Sequence, residues 1–81
     1  MVTPQEAEAI ANKAVESFIN ACGPRNIEDV GHVLIKLCSM TALALCAARG
    51  QDGGVQAVLS VAEHISQPKY AKASFKPVEK H

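Results

Sequence analysis

Asn26-Ile27-Glu28-Asp29-Val30-Gly31-His32-Val33-Leu34-Ile35-Lys36-Leu37-Cys38-Ser39-Met40-Thr41-Ala42-Leu43-Ala44-Leu45-Cys46-Ala47-Ala48-Arg49-Gly50 is the longest stretch of the chain that reads as one unbroken element. Placed on a helix at about 100° per residue, Val30 to Arg49 leave a polar arc of only about 60°. That arc holds Ser39, His32 and Lys36, with Leu43 intruding between His32 and Lys36. A helix that is apolar almost all round is a buried helix. The whole sequence has 81 residues, and a domain of that size buries only roughly 60% of the surface its unfolded chain exposes. One copy therefore has too little material to cover this helix, and the sequence predicts assembly.

Upstream, Thr3-Pro4-Gln5-Glu6 is a helix start: Thr3 caps, Pro4 suits the first position and Glu6 completes a capping box. Ala7, Ile10, Ala11, Ala14, Val15, Phe18, Ile19 and Cys22 then recur at three and four, opposite Glu8, Lys13, Glu16, Ser17 and Asn20. Gly23-Pro24 ends this amphipathic helix. Asn26 caps the next helix, and Asp29 in its first turn suits the positive end. So short a connection sets the two helices antiparallel.

Downstream, Gly50-Gln51-Asp52-Gly53-Gly54 reads as a flexible loop, with Asp52 as the cap of a third helix over about 54–66. Val55, Val58, Leu59, Ala62 and Ile65 share one face, Val61 lies at its edge, and Gln56, Ser60, Glu63 and His64 lie opposite. This shorter helix reaches only the half of the central helix thinned by Ala42, Ala44, Ala47 and Ala48. Val33, Ile35, Leu37, Met40 and Ala44 are left for a second copy. The expected fold is all-α: an antiparallel helical hairpin, helices about 4–22 and 27–49, plus a shorter third helix, within one domain over 1–66 and paired as a homodimeric bundle.

Residues 67–81 change character, with Lys69, Lys72, Lys76 and Lys80 spaced around Tyr70 and Phe75. An irregular tail with weakly docked rings is expected, and a helical turn from Pro68 is compatible with it. The formal net charge is zero, but residues 1–29 carry −3 and residues 67–81 carry +3. Such polarity can join subunits or recruit a partner. The neutral sum argues against a dedicated nucleic-acid binder.

Three cysteines, Cys22, Cys38 and Cys46, make no disulfide framework, which places the chain in a reducing cytosol. Its polar, acidic start is not a signal peptide. The longest uncharged run, Leu37 to Ala48, has 12 residues, short of the roughly 20 that span a bilayer, so no membrane segment is expected.

The candidates for chemistry are few. Asp29-Val30-Gly31-His32 has carboxylate-x-x-His spacing, with Glu28 four residues before His32. A dinuclear metal bundle needs such pairs from two helices and further carboxylates, and the first helix has no His. Asp29 reads as a helix-start residue and His32 as solvated. The cysteines lack C-x-x-C spacing and read as small hydrophobes. Glu63 and His64 point apart, and the glycines around Asp52 lack the Lys-Ser/Thr of a phosphate loop.

No catalytic, metal or cofactor residues are assigned. The residues predicted to join copies of the chain are Val33, Leu37, Met40, Ala44 and Ile35. Lys69, Tyr70, Lys72, Phe75 and Lys76 are predicted to meet another protein, and they are less suited to tracking nucleic acid. The expected function is that of an adaptor, regulator or inhibitor, in the manner of small phage or plasmid accessory proteins. The alternative is a small-ligand or nucleotide binding bundle with a pocket between helices or subunits; placed between subunits, it is lined by Met40, Leu43 and the alanines, with His32 or Lys36 at its mouth.

Overall fold

The structure is a computed structural model that describes residues 1–73. The chain is all-α: the described residues form α1 (Pro4–Cys22), α2 (Ile27–Arg49), α3 (Gln51–Ile65) and a 3-10 turn at Pro68–Tyr70, with no strand among them.

The start of α1 follows from its first four residues. Thr3 Oγ1 accepts from the Glu6 backbone N–H at 3.1 Å, and Glu6 Oε1 accepts from the Thr3 N–H at 2.9 Å. Both would otherwise be orphan donors. Gly23 closes the helix at φ 66°, where its N–H reaches the Ile19 carbonyl at 3.2 Å. Only Gly holds that left-handed conformation cheaply.

At the head of α2, Asn26 Oδ1 accepts from the Asp29 N–H at 2.9 Å. The Asp29 carboxylate turns back to Arg25, accepting from its backbone N–H at 3.0 Å and from Nε at 2.9 Å. Three orphan groups at the turn are satisfied by one residue pair and one cap.

Packing divides the chain into two compact units, Met1–Lys36 and a second that begins at Leu37, with α2 contributing to both. In the first, Ile19 of α1 and Val30 of α2 are buried, the only hydrophobic side chains so covered among the described residues. Val15, Val33 and Leu34 stand half-buried one helical turn from these centres, and Phe18 is half-buried next to Ile19 in sequence.

In the second unit, α3 starts at Gln51, so the expected five-residue loop contracts to Gly50 alone, at φ 83°. Asp52 is a first-turn residue and not the cap. Two glycines in sequence argue for a loop on propensity, but Gly54 is where α3 meets α2. A Cβ built there would stand 2.6 Å from Cys46 Sγ and 2.7 Å from the Cys46 Cα and N. The two backbones approach as only glycine allows, and this contact overrides the local preference. Beyond α3, Ser66 Oγ donates to the Glu63 carbonyl at 2.7 Å, ending the helix.

Candidate functional site

Large apolar side chains lie open along all three helices. Ile10, Ile35, Met40, Leu43, Leu59, Val61 and Ile65 are each more than half exposed. Isolated exposed hydrophobes are ordinary, whereas contiguous ones mark contact surfaces.

One contiguous surface is concave and lies within the second unit. Ser39, Ala42, Leu43 and Cys46 of α2 face Gly54, Val55, Val58 and Leu59 of α3 across a groove of about 350 Å³. Its origin is the close contact at Gly54. Gly54, Val58, Val61 and Ile65 share one face of α3 at about 100° per residue. The first two are covered, but Val61 and Ile65 remain 56% and 60% exposed. Cover on this face of α3 is thus confined to its first two turns, and the apolar flanks of the two helices form the walls of the groove. Apart from the Ser39 hydroxyl, the lining side chains offer no oxygen or nitrogen. The groove includes Leu43, as the predicted pocket does, but neither Met40, His32 nor Lys36 lines it.

The residues predicted to join copies are distributed as follows. Met40 and Ala44 are exposed, Val33 and Leu37 half-buried, and Ile35 exposed. Val33, Leu37, Met40 and Ala44 are spaced four, three and four, the a/d pattern of a helix-pairing seam. Ile35 is about 140° away from Met40 around the helix and does not share that seam. Beside it, the Thr41 hydroxyl donates to the Leu37 carbonyl, so the seam's nearest polar group is satisfied inside its own helix.

In the tail, Tyr70 sits in the 3-10 turn with its hydroxyl 3.0 Å from His64 Nε2 and its ring edge-on to the imidazole, centroids 5.2 Å apart. Lys69 Nζ stands 5.2 Å from the centroid of the same ring. Lys72 is exposed; Phe75 and Lys76 lie outside the described residues. The wheel of α3 put His64 on the polar face, but only the fold of the turn brings Tyr70 to it.

As for chemistry, the Arg25 guanidinium and backbone N–H hold the Asp29 carboxyl below the ordinary value of 3.8, with a smaller contribution from the charge of His32. Asp29 is thereby engaged in the turn. No three His, Cys, Asp or Glu side chains converge among the described residues. Cys22 and Cys38 are exposed, and Cys46 is half-buried on the groove wall.

By length and composition α2 also suffices to cross a membrane, and only 6% of its apolar window is buried within the chain. The buried core helix of a soluble protein meets the same criterion of composition, and the described residues here leave most of this helix uncovered. No family model, curated protein or solved structure matches this chain.

Proposed function

We propose that this chain is a non-catalytic helical interaction protein of the cytosol, an adaptor, regulator or inhibitor that assembles with copies of itself and holds a second protein. One observation carries this proposal: the described residues bury two hydrophobic side chains and leave many others of similar size in water along all three helices. Covering each such side chain contributes roughly 1.5–3 kcal/mol, an amount that decides whether a domain of this size is stable. Assembly is how small chains make up the deficit.

The proposed architecture pairs α1 and α2 as an antiparallel hairpin, with the seam of Val33, Leu37, Met40 and Ala44 available to a helix of another copy. Ile35 serves a contact on a different side of α2. The basic turn, with Lys69 and Lys72, is proposed to meet an acidic surface on the second protein. Lys36 favours protein over lipid as the covering of α2, because a lysine near the middle of a spanning helix costs about 2.5–3.5 kcal/mol.

Light scattering on a size-exclusion column tests the self-assembly. The expected mass is a multiple of the 8.6 kDa of one chain. A folded monomer at all concentrations would refute it.

A second reading is favoured by the groove alone: an apolar small molecule held between α2 and α3. A ligand at 100 times its dissociation constant adds about 2.7 kcal/mol of stability. A thermal-shift screen of apolar compounds without response would remove this alternative.

A further inference from the structure

We infer that His64, by holding the Tyr70 ring, is the positioning residue of the basic turn: it sets Lys69 and Lys72 side by side as one anion-binding surface, a role that rests on the proposed meeting of that turn with an acidic protein.

The turn has little else to hold it. Its backbone hydrogen bonds are local: the Gln67 N–H donates to the His64 carbonyl at 3.3 Å, Tyr70 to Gln67 at 3.0 Å, Ala71 to Pro68 at 3.0 Å and Ala73 to Tyr70 at 3.1 Å. Each spans three residues, and a 3-10 run this short is not stable on such bonds alone. Among the described residues, one side-chain hydrogen bond ties the turn to α3, between the Tyr70 hydroxyl and His64 Nε2 at 3.0 Å. The two rings add an edge-on contact, with planes at 61° and centroids 5.2 Å apart, an arrangement that aromatic pairs prefer. Tyr70 is 37% exposed, so most of it is covered in a segment otherwise open to solvent.

What this contact presents is charge. Lys69 Nζ stands 5.2 Å from the centroid of the Tyr70 ring, within reach of a cation–π attraction, so holding the ring also restrains the neighbouring lysine. Where a chain turns three residues at a time, residues three apart leave the same side, which sets Lys72 beside Lys69. From His64 to Ala73 there is no Asp or Glu, and the ion pair found among the described residues is that of Arg25 with Asp29. Two ammonium groups held in one row fit a surface that carries adjacent carboxylates. Fixing them beforehand leaves less side-chain freedom to be lost on binding. Tyr70 thus faces its own chain and supports the lysines, and it does not itself meet the partner.

Tyr70 is the chain's one tyrosine, and there is no tryptophan, so tyrosine emission reports this contact alone. His64→Ala is expected to lower the emission anisotropy and to raise quenching by acrylamide. The helical circular-dichroism amplitude stays constant, because alanine is the better helix former. An immobilised oligoglutamate peptide, read by interferometry in low salt, is expected to hold His64→Ala about threefold to tenfold more weakly than the wild type. His64→Gln carries an amide nitrogen where the imidazole Nε2 stood, and it is expected to restore both readouts.

Unchanged emission in His64→Ala overturns the inference at its contact. Emission that changes while capture does not overturns it at its role, and if Lys69→Glu with Lys72→Glu still weakens capture, the basic turn stands without His64. A wild type that ignores the peptide, or capture indifferent to that charge reversal, removes the turn as a binding surface and the inference with it.

Discussion

Substituting Gly54 with Ala isolates the packing of α3 on α2 from every other effect of the residue. The new Cβ would meet the Cys46 Cα and N at 2.7 Å, against an ordinary contact of 3.4–4 Å. Two of its three nearest neighbours are backbone atoms, so no rotamer change relieves the clash, and the helices must separate by roughly 1 Å. Overpacking of this kind costs about 1–3 kcal/mol. Against that, alanine improves helix propensity by about 0.8–1.0 kcal/mol. The control is Gly31→Ala in α2, where nothing lies within 4 Å of the added Cβ. It gains the same propensity and meets no clash. Propensity therefore cancels between the two variants, and their difference is the packing cost alone, about 1–3 kcal/mol.

Urea unfolding followed by circular dichroism, at one fixed chain concentration because assembly makes stability concentration-dependent, reads this difference. In thermal melts it appears as at least about 4 °C between the variants. Gly54→Ala as stable as Gly31→Ala would refute the close α2–α3 contact, and with it the origin of the groove. Gly53→Ala, whose Cβ meets only the Arg49 Cβ at 3.0 Å, falls between the two.

The remaining expectations concern the helix ends and the tail. Thr3→Ala removes one half of the capping box and lowers stability by about 1 kcal/mol, read by the same urea titration, and Thr3→Ser restores most of it. Asp29 is held below 3.8 in the folded chain, so its contribution is present above that ordinary value and is lost as pH falls through the lower folded value. Asp29→Asn accordingly flattens the acid limb of the stability curve without changing its shape near neutrality, and an unchanged acid limb would count against the Arg25 contact. Lys69→Glu with Lys72→Glu weakens capture of a partner with an acidic surface by about tenfold, as measured by interferometry in low salt, while the helical signal stays constant; equal capture by the double variant would dismiss the turn as the contact.

Much of the fold was legible because it is written in local chemistry. Thr3, Pro4 and Glu6 mark the start of α1, Gly23 its end and Asn26 the start of α2, each by hydrogen bonds spanning three or four residues. The start of α3 was not, because Gly53 and Gly54 serve a contact with a residue on another helix, and propensity counts such glycines as breakers. The candidate surface was half legible. The wheel of α2 foretold an apolar excess and placed Met40 and Ala44 in the open. It could not supply which side of α3 lies against α2, and so did not bring Leu43 of α2 together with Val55 and Leu59 of α3 as the two walls of one groove. The same wheel sets Ile35 about 140° from Met40, so the separation of Ile35 from the seam was legible in the spacing alone. The pairing of His64 with Tyr70 depends on a turn whose path no periodicity encodes.

Gly50 has a consequence of another kind. It is the whole connection between two helices, and one pair of backbone angles, with φ at 83°, reverses the chain. Rotating that residue into the ordinary right-handed region would splice α2 and α3 into one rod of 39 residues, Ile27 to Ile65, about 58 Å long. The groove would vanish within the chain and re-form between chains, each rod's last turns lying on the next rod's middle. Exchange of α3 between copies is thus separated from the native arrangement by a single residue, and any side chain at position 50 that resists positive φ pushes toward it by about 1–2 kcal/mol. Glycine at that position keeps the chain folded on itself.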